Sequence, residues 1–410
     1  MDTLLHTPDG VRDVYGQECA ERRKIQEDVM HQFRLFGYEC IDTPSFEFFD
    51  VFNQPGGTVS SREMYKFFDR DNRTLVLRPD MTPAVARAAA KFFGDEDHAV
   101  RLCYAGSIFQ NHYNYKGSMS EMVQTGVELI GDDSADADVE ILLLTIQSLL
   151  ASGLKEFQVE VGDVGFYRGL VEEAGLTPEE DLCLRTLIEN KNSFGVEEFV
   201  DANITDPDLR RGFLKLPELF GGIETVQEAA ELTKSREAQN AIRRLEKISR
   251  LIRIYGLSDY VSFDLGMLSM HDYYTGMIFR AYSYGTGDYI VQGGRYDRLL
   301  KQFGKDAPAV GFGITLNRLM AALRGQKIEI PTEPLAALVV YDGPGTEKAV
   351  ELIRKLRSEG KRVASERFRP GETEQGYRAY AGRIGAEKLF MLAGSPDQRS
   401  GAETEGGEET

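Results

Sequence analysis

The sequence predicts an α+β fold, with an antiparallel sheet, flanking helices, a helical insertion and a small C-terminal α/β domain. β-prone segments dominate up to about residue 161, a helical block covers about 168–256, and further strands follow. Beyond residue 334, strand and helix patterns alternate regularly. With 42% hydrophobic residues in 410, the chain can also bury a large core. Runs of strands interrupted by a run of helices are typical of α+β domains.

The N-terminal elements follow from periodicity and turn residues. Apolar residues recur at helical spacing over residues 18–36, and Gly37 ends that helix. A strand broken by Pro44 comes next, and then a hairpin around the turn Asp69–Arg73. The next helix is predicted to begin with Thr82 as its N-cap.

A second hairpin is predicted over residues 107–131, where two β-prone runs flank a polar loop. A helix with acidic residues at its start follows over 133–153. In the helical insertion, Thr177–Glu180 has the pattern of a capping box. Three further strands are predicted after the insertion, and the helix at 314–325 closes the main domain.

The domain boundaries follow from composition. We expect a main domain over residues 1–325 and a linker over 326–334, where prolines are frequent. A small α/β domain is expected over 335–395, followed by a disordered acidic tail over 396–410.

Composition limits the partners and the compartment. The net charge is −18, which is unfavourable for nucleic-acid binding, so no nucleic acid is expected. The sequence begins without a basic segment followed by an apolar one and has no run of about 18 apolar residues, so we expect a cytoplasmic protein and no membrane contact.

The four cysteines predict neither a disulfide framework nor a metal site. They are scattered through the chain and no pair has CxxC spacing. Because each lies in or near an apolar segment, buried free thiols are expected. No metal and no cofactor are expected.

The stretch "LRPDMT" places Arg78, Asp80 and Thr82 at a strand-to-helix junction. Capping of the helix N-terminus explains these residues as well as a binding role does. In "QTGVE", Gln124, Gly126 and Glu128 share one face of a strand. If the other face is the core side, this face could bind an amine, and a solvated sheet face is the alternative.

Two further stretches carry polar residues beyond what periodicity requires. "HDYYTG" contains Tyr273 and Tyr274, of which only one would line a given pocket if both lie in a strand, while His271 lacks a nucleophile partner. "QGGRYDRLL" contains Arg295 and Asp297, and either a tight turn or a ligand-facing loop would fit.

In this order, these stretches resemble the catalytic domain of class II aminoacyl-tRNA synthetases of the histidyl type over about residues 5–325. "GYECIDTPSFE", with Pro44, resembles motif 1, the dimer-interface strand. "RLCYAGSIFQ" and "MVQTGVELIG" resemble motif 2, and "AVGFGITLNRLM", with Arg318, resembles motif 3. "DYYTGMIF" and "GGRYDRLL" resemble the two histidine-specific signatures, which are the most specific match.

The resemblance implies a histidine pocket. By the family pattern, Asp80, Thr82 and Gln124 would hold the α-amino group. Glu128, with Tyr273 or Tyr274, would hold the imidazole nitrogens. Carboxylates and hydroxyls suit both groups.

The same comparison implies that the ATP site is degenerate. Four family arginines are replaced by Gln110, Ser118, Ser120 and Ser269, and Arg318 remains. Losing one charge-stabilising donor typically costs about 2.7–4 kcal/mol of transition-state stabilisation, so losing four should abolish adenylate formation.

An intact amino-acid site without ATP chemistry resembles a paralogous family, the regulatory subunits of ATP phosphoribosyltransferase. That resemblance implies a non-catalytic homodimer within a hetero-oligomer, a short-form catalytic subunit as partner, and feedback inhibition by histidine. An active histidyl-tRNA synthetase with a diverged motif 2 and a synthetase-like sensing module are the alternatives.

The C-terminal unit resembles the start of an anticodon-binding domain but is shorter. A solvated helix face, rather than tRNA binding, is the favoured interpretation of its basic residues, which are Arg354, Lys355, Arg357, Lys361, Arg362, Arg367 and Arg369.

Overall fold

A computed structural model describes residues 5–53, 59–111, 119–268, 273–285 and 287–392. These residues form two compact units that divide between Ile330 and Pro331. The first unit contains a nine-stranded sheet and a separate three-stranded sheet, and the second contains a three-stranded sheet of its own.

The first unit contains twelve strands among its described residues. They are β1 (Glu39–Cys40), β2 (Phe46–Phe48), β3 (Lys66–Phe68), β4 (Thr74–Leu77), β5 (Val100–Phe109), β6 (Glu121–Ile130), β7 (Phe157–Asp163), β8 (Phe220–Gly221), β9 (Val261–Asp264), β10 (Met277–Ser283), β11 (Val291–Arg295) and β12 (Ala309–Thr315). The second unit contains β13 (Leu335–Tyr341), β14 (Arg362–Arg367) and β15 (Leu389–Leu392).

The α-helices are named in the same way. They are α1 (Gly16–Leu35), α2 (Phe49–Phe52), α3 (Thr82–Phe92), α4 (Ala135–Ala151), α5 (Val164–Ala174), α6 (Pro178–Glu189), α7 (Ser193–Asn203), α8 (Pro207–Lys215), α9 (Ile223–Ala230), α10 (Arg236–Ile254), α11 (Leu316–Gly325), α12 (Thr346–Ser358) and α13 (Glu374–Arg383).

The nine-stranded sheet has the order β1-β5-β6-β12-β11-β10-β7-β9-β8. Its central strands are antiparallel, as predicted, but β1 pairs with β5 and β7 pairs with β9 in parallel. The sheet is therefore mixed. Parallel neighbours need a long crossover, and the helices α5 to α10 supply one between β7 and β9.

Successive side chains of the central strands point alternately to a buried core face and to an open face of the sheet. Val127 and Leu129 of β6 are fully buried against α1 and α4, which contribute residues such as Phe33 and Ile141. The helical insertion joins this core through residues such as Leu245. α3 packs on part of the opposite face and leaves the rest of that face open.

Most local predictions for the first unit are confirmed. Thr177 and Glu180 form the predicted capping box at the start of α6, with each side chain bonded to the other's backbone N–H. The prediction that Thr82 caps α3 is wrong: Met81 is the N-cap, and its side chain makes no capping bond. The Thr82 hydroxyl is used elsewhere, as described below.

The second unit is a parallel sheet with a helix on each face. Alternate residues of β13 pack against α12 or α13, as expected for a strand buried on both sides. The basic residues noted above are exposed, and two of them, Lys361 and Arg369, pair with neighbouring glutamates. No helix in the described part of the chain is long and apolar enough to cross a membrane.

Candidate functional site

A cleft of about 560 Å³ lies on the open face of the nine-stranded sheet. Its floor is formed by β6, β12, β11, β10, β7 and β9, and residues opposite one another on paired strands share this face. Gln124 lies opposite Thr315 and Glu128 opposite Gly311. The predicted alternation of Gln124 and Glu128 with Val127 and Leu129 is thus observed.

Two glycines of β12 make room for the side chains of β6. A Cβ atom at Gly311 would lie 2.0 Å from Glu128 Oε2, and one at Gly313 would lie 2.3 Å from Gln124 Nε2. Both distances are far shorter than a van der Waals contact. The floor of the cleft is therefore bare backbone at the two places where Glu128 and Gln124 lie across it.

Glu128 is 1% exposed and lies behind the inner end of the cleft, where two residues that bond its carboxyl, Thr82 and Tyr296, form part of the lining. Its Oε1 accepts hydrogen bonds from the Thr82 hydroxyl at 2.8 Å and the Tyr104 hydroxyl at 3.4 Å. The Tyr296 hydroxyl donates to Oε2. The solvated sheet face considered from the sequence does not describe this residue, because its carboxyl is buried within a shell of hydroxyls.

Burial raises the pKa of Glu128 to about 8, and the nearby charge of Asp80 adds to the rise. The hydroxyls of Tyr296, Thr82 and Tyr104 act in the opposite direction because they donate to the carboxylate form. A carboxyl that titrates near neutrality can gain or lose a proton when a basic nitrogen reaches it.

Asp80 and Gln124 line the cleft on the side of β5 and β6. Asp80 Oδ1 accepts from the Met81 N–H at 2.8 Å, so the residue both bonds the backbone before α3 and borders the cleft. Gln124 Oε1 is buried and accepts no hydrogen bond from the described residues. An acceptor in that position is available to a ligand that donates hydrogen bonds.

Tyr273 and Tyr274 both line the cleft, and their ring centroids are 4.1 Å apart. The prediction that only one of them would face a pocket is wrong. The two residues lie in a turn before β10, which begins at Met277, so strand alternation does not apply to them. Burial raises the pKa of both phenols well above the usual range, and both therefore remain hydrogen-bond donors at neutral pH.

Arg295 and Asp297 do not line the cleft. Arg295 is 2% exposed, and its Nε and Nη2 donate to Asp138 Oδ1 at 2.9 and 2.7 Å. Asp297 Oδ1 accepts from Arg295 Nη1 at 3.2 Å, and Asp297 Oδ2 accepts from the Thr275 hydroxyl at 3.0 Å. Arg295 and Asp297 thus link α4 to Thr275, which follows Tyr273 and Tyr274 in the turn before β10.

At the end of the cleft expected to be the degenerate ATP site, the side chains of Gln110 and Arg318 and the backbone of Ser120 bond other parts of the protein. Gln110 Nε2 donates to the Pro79 carbonyl at 3.1 Å, and the Ser120 N–H donates to the Gly10 carbonyl at 2.7 Å. Arg318 pairs with Asp288 and lies with its guanidinium 4.6 Å from the ring centroid of Tyr289. Ser118 and Ser269, as well as His271, lie outside the described residues.

The structure adds residues that the sequence reasoning missed. Tyr104 and Tyr296 contact Glu128, and the other additions are five charged residues that line the cleft: Glu63, Glu160, Lys191, Asp264 and Arg280. Alternation along β7 could have indicated Glu160, which shares a face with Gly162. No comparable signal marks Lys191, which follows α6 with a positive φ of 51°.

Comparison with known proteins gives the family. The histidyl-tRNA synthetase family model matches residues 10–319. An ATP phosphoribosyltransferase regulatory subunit of Acetivibrio thermocellus is 38% identical over 388 residues, which are 94% of this chain and 93% of the relative. The chain belongs to the family of ATP phosphoribosyltransferase regulatory subunits. One from Clostridium novyi is 40% identical over 79% of this chain and 78% of its own.

Solved structures agree with this assignment. An ATP phosphoribosyltransferase regulatory subunit/histidyl-tRNA synthetase from Bacillus halodurans superposes with a TM-score of 0.86 at 29% identity, covering 96% of this chain and 99% of that chain. A histidyl-tRNA synthetase from a Nostoc species, at 19% identity, superposes with a TM-score of 0.79 over 97% and 93% of the two chains and shows the shared fold. The predicted family and the synthetase-like fold are thus confirmed.

Proposed function

We propose that this chain is a non-catalytic regulatory subunit that activates a short-form ATP phosphoribosyltransferase catalytic subunit and binds histidine in the cleft. The observation that carries the proposal is the buried Glu128, whose hydroxyl partners Thr82 and Tyr296 line the cleft, together with a Gln124 acceptor that has no hydrogen-bond partner among the described residues. This site suits a small ligand with a basic nitrogen heterocycle and an ammonium group. Free histidine has both groups.

The roles of the individual residues follow from their chemistry. Glu128 would accept from an imidazole N–H, with Tyr273 and Tyr274 close to the ring. Asp80, Thr82 and Gln124 would surround the α-ammonium group, since a carboxylate and neutral acceptors complement it. The Thr82 hydroxyl already donates to Glu128, so its oxygen remains an acceptor for the ligand.

The environment of the phosphate-binding positions supports a role without ATP chemistry. Gln110 and Ser120 are uncharged, and Arg318 is held by Asp288 and Tyr289. The other cations on the cleft, Lys191 and Arg280, are accompanied by two acids, Glu160 and Asp264. A phosphoryl-transfer site needs uncompensated positive charge on the phosphates.

Regulation by histidine requires unequal binding. Histidine inhibits only if it binds one state of the hetero-oligomer more tightly than another, because equal binding shifts no equilibrium. We infer that the complex has a low-activity state in which the cleft holds histidine more tightly.

The alternative is an active histidyl-tRNA synthetase, which the match to the synthetase family model favours. Two assays separate the functions. As a regulatory subunit, the chain should co-purify with the catalytic subunit, raise its turnover and catalyse no histidine-dependent ATP–pyrophosphate exchange. Robust exchange by the chain alone, together with no effect on the phosphoribosyltransferase, would establish the synthetase instead.

A further inference from the structure

Two thiols face each other at the edge of the nine-stranded sheet. Cys40 is in β1 and Cys103 is its direct partner in β5, and their Sγ atoms are 3.6 Å apart. The expectation of four buried thiols is wrong, because Cys40 and Cys183 are exposed and Cys19 is partly exposed. Only Cys103 is fully buried.

We propose that Cys40 and Cys103 form a site of reversible oxidation, in which peroxide converts the two thiols into an intramolecular disulfide. Neighbouring strands lie about 4.7–4.9 Å apart, which is within the range of Cα separations that disulfides span. A disulfide bond is about 2.05 Å long, so the sulfurs must approach by about 1.5 Å, which side-chain rotation can supply. The inference does not depend on the proposed function.

The two thiols have different environments, and this difference assigns their roles. Cys40 is exposed and can meet a solvent oxidant, whereas Cys103 is enclosed by the core. Burial raises the pKa of the Cys103 thiol to about 12, which disfavours its reaction as the first thiolate. The guanidinium of Arg34, on α1, acts in the opposite direction on Cys103 and provides a nearby positive charge.

The chemistry balances with hydrogen peroxide as the oxidant. The Cys40 thiolate attacks one peroxide oxygen, the O–O bond breaks, and Cys40 sulfenic acid and, after protonation, water form. Cys103 then attacks the sulfenic sulfur, loses its proton, and expels the hydroxyl as a second water. Two thiols and one peroxide thus give one disulfide and two waters, and a thiol reductant reverses the change.

The bond would fix a weakly held element. β1 has two residues, and it joins the sheet only through β5 among the described strands. A disulfide would join this edge strand, which precedes Pro44, to β5, a ten-residue strand that forms one arm of the β5–β6 hairpin. Oxidation would therefore lock the segment that resembles the dimer-interface motif.

The test uses the full-length reduced protein. It is treated with equimolar peroxide, quenched with a thiol-blocking reagent under denaturing conditions, and analysed by intact mass and peptide mapping. We expect loss of two blockable thiols, a mass decrease of two hydrogens, a linked Cys40–Cys103 peptide, and recovery on reduction.

Cys183→Ser is the matched control, because it removes an exposed thiol at another place, and it should behave as wild type. Cys40→Ser should give no linked peptide. The proposal is overturned if Cys40 instead accumulates as a sulfinic acid, or as a disulfide between two chains, while Cys103 remains blockable in the folded, oxidised protein.

Discussion

Glu128 is the residue through which the cleft should discriminate histidine from other amino acids. When histidine binds, its basic imidazole nitrogen takes the Glu128 proton, and the resulting hydrogen bond from the ring N–H to the carboxylate contributes about 1.5–3 kcal/mol. Glu128→Ala should therefore weaken histidine binding roughly ten- to a hundredfold. In the reconstituted complex, the inhibition curve should move to higher histidine while activation is retained, and titration of phosphoribosyltransferase turnover with histidine measures both.

Glu198→Ala is a suitable control, since Glu198 is an exposed acid on α7, and its inhibition curve should match that of wild type. If the Glu128→Ala curve also superimposes on wild type, histidine exerts its effect from another site, and the cleft no longer takes part in regulation.

The raised pKa of Glu128 also predicts how stability depends on pH. The folded-state pKa is about 8, whereas an unfolded glutamate titrates near about 4.3. Between these values the folded state holds a proton that the unfolded state lacks, so its stability falls as pH rises. Between about pH 5.5 and about pH 7.5, the wild type should lose about 2–2.5 kcal/mol more than Glu128→Gln.

Urea denaturation of the two proteins at both pH values measures the difference. Other buried acids, such as Asp163, whose pKa burial raises to about 6, contribute equally to both proteins and cancel. Parallel pH profiles for wild type and Glu128→Gln would mean that Glu128 is ionised in the folded protein already at low pH.

At the scale of elements, Arg295 at the end of β11 and Asp297 just after it join parts of the molecule that are distant in sequence. Arg295 pairs with Asp138 of α4, and Arg244 of α10 binds the other oxygen of the same carboxylate. Through Asp297, the same arginine supports Thr275, next to the tyrosine turn. The cleft, the insertion and the core helix thus meet at one buried charge cluster.

Arg295→Met should destabilise the first unit strongly, because it leaves the Asp138 carboxylate buried with fewer partners. Removal of one member of a buried ion pair typically costs about 3–5 kcal/mol. Urea unfolding measures this loss, and isothermal titration should show weaker histidine binding as well, since Thr275 loses its support.

Arg324→Met provides the comparison. The exposed Arg324 forms ion pairs at 3.4 and 3.6 Å with the partly buried Glu18 and Glu21, and ion pairs of an exposed arginine contribute little to stability. Equal losses for Arg295→Met and Arg324→Met would show that the buried cluster has no special role.

Individual elements show what the sequence could and could not predict. The capping box at Thr177 depends on residues three apart and was predictable. Thr82 is likewise followed by a proline, but it has no acid three residues later, and its hydroxyl bonds Glu128, which is 46 residues away. Strand alternation predicts that only one of Tyr273 and Tyr274 lines a pocket, but the two residues lie in a turn, where that rule does not apply. Local rules fail at these residues because distant partners or turn geometry determine where the side chains lie.

At the scale of the whole molecule, the small sheet β2-β4-β3 exposes aromatic side chains. Phe46, Phe48 and Phe67 share one face and are 52%, 45% and 37% exposed. This face follows Pro44, in the segment that resembles the dimer-interface motif. We expect it to be covered by a second copy of the chain around a twofold axis, because closed twofold symmetry is the commonest arrangement.

Phe46→Asp should therefore shift the protein from dimer to monomer in sedimentation equilibrium at micromolar concentration. Phe220→Asp is matched to it, since Phe220 is also 52% exposed but lies in β8, at the opposite edge of the large sheet. A wild-type protein that sediments only as a monomer would contradict the expectation directly.

The overall architecture was more predictable than the site. The order of strands and helices follows from periodicity, because each element buries one of its own faces. The two parallel pairings and the charged residues Glu160, Lys191, Asp264 and Arg280 depend on which elements become neighbours. That information lies in the packing of segments up to a hundred residues apart, and no local pattern carries it.

Because Gly311 and Gly313 have no side chains, a substitution at either position would fill space at the floor of the cleft beside Glu128 or Gln124. A methyl group at Gly311 would compete with the Glu128 carboxyl and the Val127 carbonyl for the same space. Such a change replaces no exposed residue, but it must displace the Glu128 carboxyl or the backbone of β6. A substitution at Gly311 would thus test the proposed histidine site from the floor of the cleft, because the exposed surfaces available for assembly keep their residues.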